Sequence, residues 1–217
     1  MANRFDFLPA DVLIFLDSSV ISKQVDKHHN FADEAYRIKD LTERLSCMDN
    51  WVAIPQVIEE QARNVDKSRG IYSKRKKFHR HFEDYLRLMK KLTKLRNFLN
   101  SQMENSQVLT PQLAERARAM YPEIKESFYR NDGKTNDLET DIHILTNALA
   151  YAQINQNQDR EIKACVWSYD HSIIKTLNNV ATRLEIPIGR LFETRLGIIP
   201  IYGVLKYPDV AVQAAST

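Results

Sequence analysis

The stretch VLIFLDSS, residues 12–19, decides the class of fold that we expect for this chain. Five consecutive apolar residues predict a strand buried on both faces, as in the middle of a parallel sheet. The run ends at Asp17, which places a carboxylate at the carboxyl end of the strand, where open α/β sheets bind ligands. Two further runs show the same pattern, because residues 51–54 lead into Pro55 and residues 162–169 lead into Asp170.

Helical periodicity occupies most of the chain between these strands. Apolar residues recur at helical spacing over 31–48, 74–100, 111–124 and from about residue 135 to 152. Another helix is expected from Pro55 to just before Gly70. Tyr121-Pro122 should disturb the helix that begins at Pro111, Asn131-Asp132-Gly133 should form a turn, and Thr135 or Asn136 should cap the next helix.

Alternating strands and helices at both ends of the chain predict an α/β fold with a central parallel sheet. We expect a single domain over residues 1–217 and, within it, an all-helical basic insertion over residues 68–130. A last strand over residues 197–202 is weakened by Pro200, because proline is largely confined to edge strands.

Composition agrees with an ordinary folded domain. The 217 residues are 43% hydrophobic and 27% charged, with only 5 Gly and 7 Pro, so a disordered chain is excluded. No apolar run approaches the ~18 residues of a membrane span, and the first residues lack a secretory layout. Cys47 and Cys165 have no CxxC spacing and are expected as buried, reduced thiols. These features together predict a cytoplasmic protein.

Charge is unevenly distributed along the chain. Residues 67–100 hold twelve Lys and Arg but two acids, whereas the remainder holds 19 basic and 26 acidic residues. A plain solvated helix face usually alternates charges, so the basic block favours contact with phosphates. The candidate nucleic-acid contacts are Lys74, Arg75, Lys76, Lys77, Arg80, Arg87, Lys91 and Lys94. The aromatic residues beside them could stack on bases, but for Phe78, Phe82 and Tyr85 packing is the better account.

Carboxylates recur at the positions where α/β proteins bind ligands, beside the carboxyl ends of the strands. Asp17 and Asp170 follow predicted strands, and Glu60 and Asp141 lie in the first turns of helices. Carboxylates brought together would repel, and a divalent cation would remove the conflict. Oxygen ligands of this kind favour Mg²⁺ or Mn²⁺ over zinc.

Each acid also has a simpler explanation. A carboxylate in a first helical turn complements the helix dipole, which is the better account of Glu139 and a serious one for Asp137 and Glu59. Asp170 could cap the following helix and still bind a metal. That all four principal acids are only capping residues is a weaker explanation than a shared site.

Four motifs resemble those of the PIN-domain nucleases and occur in the same order. They are VLIFLDSS at 12–19, IPQVIEE at 54–60, DIHILTNA at 141–148 and SYD at 168–170. The resemblance covers both flanks of the chain and leaves the helical insertion unmatched. It implies a three-layer α/β/α PIN-like domain with a central parallel sheet.

The resemblance also implies a function, a metal-dependent endoribonuclease. Asp17, Glu60, Asp141 and Asp170 would hold one or two Mg²⁺ or Mn²⁺ ions for hydrolysis of RNA phosphodiester bonds. Asp137 would be a second-site or outer ligand. Ser19 and Ser168 would orient ligands or water.

Several alternatives stay open at this stage. Gln61 stands where the family usually has an apolar residue, so Glu59 could replace Glu60 as the ligand. Single-stranded or looped RNA is the expected substrate, with a structure-specific DNA nuclease or a non-catalytic nucleic-acid-binding protein as alternatives. The setting is also open among a toxin with an antitoxin partner, an RNA-processing factor and a phage-defence nuclease, as is self-association. An aspartyl-phosphatase is disfavoured, because Ser19 stands where that class has its second Asp.

Overall fold

A computed structural model describes residues 12–24, 30–73, 82–105, 108–132, 138–155, 162–170, 173, 176 and 198–202. The described chain is mixed α/β and mostly helical. Its elements are β1 (Leu13–Leu16), α1 (Ser18–Ser22), α2 (Phe31–Ser46), β2 (Trp51–Val52), α3 (Pro55–Ser73), α4 (Phe82–Asn105), α5 (Pro111–Asp132), α6 (Glu139–Ile154), β3 (Ile162–Trp167) and β4 (Ile198–Tyr202).

The strands form one sheet in the order β2-β1-β3-β4. Both β2 and β3 pair with β1 in parallel, with Ile14 opposite Trp51 on one side and Cys165 on the other. The predicted parallel sheet is therefore confirmed for three strands. The prediction of a parallel sheet does not extend to β4, which runs antiparallel to β3 and brings Pro200 opposite Cys165. At this edge of the described sheet, proline's missing N–H costs least.

The helix α6 positions much of the candidate site, because it packs directly on the sheet and contacts β1, β3 and β4. Ten of its sixteen residues are buried, among them Ile144, Leu145, Ala148 and Leu149, each fully inaccessible to solvent. On its other side α6 packs against α5, while α4 packs against α2 and α3. The helix is thus enclosed on two sides, which fixes its first turn close to the strand ends.

Two predicted helix breaks are wrong. The helix α3 continues through Gly70 to Ser73, and α5 runs through Pro122 to Asp132, so Asn131 and Asp132 are helical. A glycine inside a helix costs only about 1 kcal/mol. The proline removes one hydrogen bond, but the buried stripe of α5 against α6 outweighs that local loss. The stripe consists of Leu113, Ala117, Met120, Ile124 and Phe128.

Several smaller predictions also need correction. Cys47 is exposed, because it lies at the C-cap of α2 and not in its apolar stripe, whereas Cys165 is buried as expected. Phe82 is 52% exposed, although Tyr85 is buried as packing required. The helix α6 begins at Glu139 with Leu138 at its N-cap, so the prediction that Thr135 or Asn136 caps it is wrong. Both predicted caps lie outside the described residues.

Within the predicted insertion the described residues form the end of α3, α4 and most of α5, and only residues 108–110 among them are not helical. Residues 74–81 lie outside the described part of the chain, so α4 is described from Phe82 and extends five residues beyond the predicted end at Asn100. Among the described residues, no helix combines the length and apolar character that a membrane crossing requires.

Candidate functional site

Asp17 lies where β1 ends and is almost completely buried, with 1% of its surface exposed. It occupies the N-cap position of α1, yet its side chain makes no capping hydrogen bond. Instead its Oδ2 accepts hydrogen bonds from the hydroxyls of Ser19 and, at 2.7 Å, of Ser168. A simple capping role therefore does not account for Asp17, whose carboxylate is held in place by two serines.

The same two serines connect the ends of β1 and β3. Their Oγ atoms lie 3.3 Å apart. The backbone amide of Tyr169 donates to Ser19 Oγ, and that of Asp170 donates to Ser168 Oγ, both at 2.9 Å. Neighbouring parallel strands end at the same edge of the sheet, so these bonds shape the turn that carries Asp170 beside Asp17.

Glu60 enters the site from α3. Its Oε1 accepts a hydrogen bond of 3.0 Å from Ser18 Oγ, and the neighbouring Gln61 donates from Nε2 to the Ser18 carbonyl at 3.2 Å. Glu59 is exposed, whereas Glu60 is partly buried. The geometry therefore favours Glu60 over Glu59, and Gln61 has a structural role in attaching α3 to α1.

Asp141 is the group that links the four acids. It lies in the first turn of α6 and is 8% exposed. Burial, followed in decreasing order by the negative charges of Asp17, Asp170 and Glu60, raises its pKa to about 8. The structure thus brings all four predicted acids into one electrostatic neighbourhood, with Asp141 buried among the others.

One oxygen of Asp17 makes no hydrogen bond to any described residue. This atom is Oδ1, which is buried. Burial raises the pKa of Asp17, the hydroxyls of Ser168 and Ser19 and the Ser18 amide lower it, and the charge of Glu60 raises it again. A buried acceptor without a donor is costly, so this oxygen suits a ligand such as a cation or an ordered water.

The acids are not a ready-made ligand cluster. Within the described ranges, no three His, Cys, Asp or Glu side chains form a group that could hold a metal as they stand. Asp137, the predicted outer ligand, lies outside those ranges. The donor chemistry nevertheless fits Mg²⁺ or Mn²⁺, because the gathered groups are carboxylates and one buried oxygen makes no hydrogen bond to a described residue.

Three of the eight predicted nucleic-acid contacts can be placed, all on α4. Arg87 and Lys94 are exposed, and Lys91 between them is partly buried. Arg87 pairs loosely with Asp84 at 3.6 Å. The helix α4 packs against α3, which carries Glu60. The other five, Lys74, Arg75, Lys76, Lys77 and Arg80, lie outside the described residues.

The sequence reasoning missed three residues at the site. Ser18 and Gln61 connect α1 to α3, and the Lys23 ammonium lies 3.7 Å from the centroid of the Tyr169 ring. The signal for Ser18 was its place in the first motif, next to Asp17. For Gln61 the signal is a polar side chain at the position where the PIN-domain motif usually has an apolar residue.

Ser168→Ala should destabilise the protein more than an ordinary surface change. The substitution removes a hydrogen bond to a buried carboxylate and raises the pKa of Asp17 further, because the Ser168 hydroxyl lowers it. Hydrogen bonds to charged groups contribute about 1.5–3 kcal/mol, so we expect a loss of about 1–3 kcal/mol in the free energy of unfolding. Urea denaturation at neutral pH measures it.

Ser46→Ala is the matched control for that measurement. Ser46 is exposed and its Oγ donates only to a carbonyl of its own helix, that of Glu43. We expect a change within about 0.5 kcal/mol. Equal effects of the two substitutions would show that Ser168 does not hold Asp17.

Comparison with known proteins found no relative: no family model, no curated protein and no solved structure matches this chain. The fold and site define a mixed α/β protein with four interacting acids near the carboxyl ends of the three parallel strands of its sheet. Its function is therefore argued from the chemistry of those residues.

Proposed function

We propose that this chain is a metal-dependent endoribonuclease with a PIN-like fold, in which Asp17, Glu60, Asp141 and Asp170 hold Mg²⁺ or Mn²⁺. The observation that carries the proposal is the burial of Asp141 among the other three carboxylates. The parallel order β2-β1-β3, with acids at the carboxyl ends of β1 and β3, supports a PIN-like arrangement.

A cation is the simplest resolution of the electrostatic conflict. With its pKa raised to about 8, Asp141 is mostly protonated at neutral pH when no metal is bound. A divalent ion would replace that proton and neutralise the neighbouring charges, and Asp17 Oδ1, which has no hydrogen bond among the described residues, offers it a buried ligand. The carboxylates must approach one another more closely to coordinate an ion, which their repulsion opposes in its absence.

Each side chain would have a separate task in hydrolysis. A bound cation of this kind activates water and stabilises the leaving oxygen of a phosphodiester. Ser19 and Ser168 fix one oxygen of Asp17 and leave the other available. Ser18 orients Glu60, and the Ser168 hydroxyl holds the backbone at Asp170. The protein would thus contribute ligands that hydrogen bonds hold in place, without a nucleophilic side chain.

The substrate proposal depends on charge. An acidic centre repels phosphate unless metal is bound, so affinity must come from cations elsewhere. Arg87, Lys91 and Lys94 lie along one side of α4, and the charge runs at residues 74–77 and 80 extend the same basic block. Such contacts attract any nucleic-acid backbone, and single-stranded or looped RNA is the form whose backbone can reach a recessed site.

Incubation with labelled RNA and with DNA of the same sequence tests the proposal. We expect RNA to be cut when Mn²⁺ or Mg²⁺ is added, EDTA to stop the reaction, and the mapped ends to carry a 5′-phosphate. Preferential cutting of branched or flapped DNA would replace the RNA assignment with the DNA alternative. Binding without cutting, under every metal condition, would leave only a nucleic-acid-binding protein.

A further inference from the structure

A pocket of about 600 Å³ lies between the start of α3, α5 and α6, and none of the predicted functional residues lines it. Ile54, Leu109 and Ala117 contribute apolar walls. The volume falls within the range of about 300–1,000 Å³ that is usual for small-ligand pockets. It is large enough for a flat heterocycle with its sugar.

Two aromatic rings line this pocket in a fixed arrangement. The centroids of Tyr121 and His143 are 5.0 Å apart, with an interplanar angle of 37°. The Tyr121 hydroxyl donates a hydrogen bond to Glu139, and His143 Nε2 lies 3.4 Å from the same carboxylate. Lys125 Nζ lies 5.4 Å from the Tyr121 centroid. Rings held this way form a stacking surface that needs little reordering on binding.

Polar groups with unused hydrogen-bonding capacity also line the pocket. The side chains of Gln56 and Arg118 make no hydrogen bond or ion pair within the described part of the chain. Asn147 donates from Nδ2 to the His143 carbonyl at 2.8 Å, which leaves its Oδ1 available. Side-chain amides match the adjacent donors and acceptors on base edges, and a guanidinium can stack or bind phosphate.

The pocket adjoins the acidic site along α3. Gln56 and Glu60 are four residues apart in this helix, so they lie on one face, separated by about 6 Å along the axis. Gln56 lines the pocket, and Glu60 belongs to the acidic site through Ser18 and Asp141. A ligand in the pocket can therefore continue towards the carboxylates.

We propose that this pocket holds one unstacked nucleobase of the single-stranded nucleic acid whose backbone lies at the acidic site, an inference that rests on the proposed function. The Tyr121–His143 pair packs on the base, and Gln56 and Asn147 bind its edge. Single strands are commonly recognised this way, by bases turned out onto aromatic side chains. The pocket sets which nucleotide lies next to the bond that is cut.

Fluorescence of 2-aminopurine tests the inference without requiring cleavage. The probe is a short single-stranded RNA that carries 2-aminopurine at each position in turn, mixed with the full chain in EDTA. We expect strong quenching at one or two positions. Tyr121→Leu and His143→Leu should relieve it and weaken binding roughly ten-fold, in line with the usual contribution of stacking. Gln56→Ala tests whether this side chain binds the edge of the base. The Gln56 side chain makes no hydrogen bond in the described structure, so its substitution should not disturb folding.

Tyr36→Leu is the matched control, because Tyr36 on α2 is 68% exposed and does not line the pocket. It should change neither quenching nor affinity. Uniform quenching along the RNA, quenching that survives both ring substitutions, or no RNA binding at all would overturn the inference. Cleavage without position-specific quenching would overturn the pocket alone. Position-specific quenching in a chain that cuts no nucleic acid would overturn the hydrolytic function alone.

Discussion

Asp17→Asn should reduce kcat/KM for metal-dependent RNA cleavage by at least about a hundred-fold. Loss of an outer partner of a metal ligand typically costs 10–100-fold in affinity or activity, and a direct ligand should cost more. The substitution replaces a carboxylate with an amide at a buried position where Oδ1 makes no hydrogen bond in the described structure. Single-turnover cleavage with saturating Mn²⁺ measures the effect, because it separates chemistry from product release.

Asp49→Asn provides the control for this loss. Asp49 is exposed and lies in the turn before β2, away from the four acids, so the same chemical change should leave cleavage within about two-fold, as for most surface substitutions. Titration calorimetry with Mn²⁺ should show weaker binding only for the Asp17 variant. Wild-type cleavage and Mn²⁺ affinity in Asp17→Asn would contradict the proposed metal site.

Asp141→Asn should stabilise the metal-free protein at alkaline pH. Burial and neighbouring charges raise the pKa of Asp141 from 3.8 to about 8, so the folded state binds this proton more tightly than the unfolded chain. The free energy of unfolding then falls as pH rises between those two values. One proton corresponds to 1.36 kcal/mol per pH unit, so the wild type should lose about 2 kcal/mol between pH 6 and pH 8.

Urea denaturation in EDTA at several pH values measures this slope. Asparagine does not titrate, so the variant should lose most of the change in unfolding free energy with pH. The change that is left reports Asp17, whose pKa is also raised. Saturating Mn²⁺ should restore the stability of the wild type at pH 8, because a ligand that binds only the folded state stabilises it. Equal slopes in the wild type and Asp141→Asn would show that Asp141 is not buried among like charges.

Local sequence was sufficient to predict β1 and the position of Asp17. A short segment that is apolar on both faces is typical of a strand buried in a parallel sheet. The structure agrees, because β1 pairs in parallel with both β2 and β3. The helical stripes of α2 and α6 were likewise predictable, because helical periodicity marks the face that packs. Local signals failed at Gly70 and Pro122, where the gain from tertiary packing exceeded the cost of a breaker residue.

The sequence by itself determined which residues could form a carboxylate site, through the strand ends that precede Asp17 and Asp170 and the first turn of α6 that holds Asp141. The prediction of a first helical turn was wrong for Glu60, which is the sixth residue of α3. Only the tertiary structure decided which atoms meet. Ser168 reaches Asp17 across 151 positions of the chain, and Ser18 reaches Glu60 across 42. The Tyr121–His143 pocket likewise exists only where α5 packs on α6. Periodicity records which face of an element is buried, but the partner of that face depends on contacts between distant segments, which no local pattern encodes.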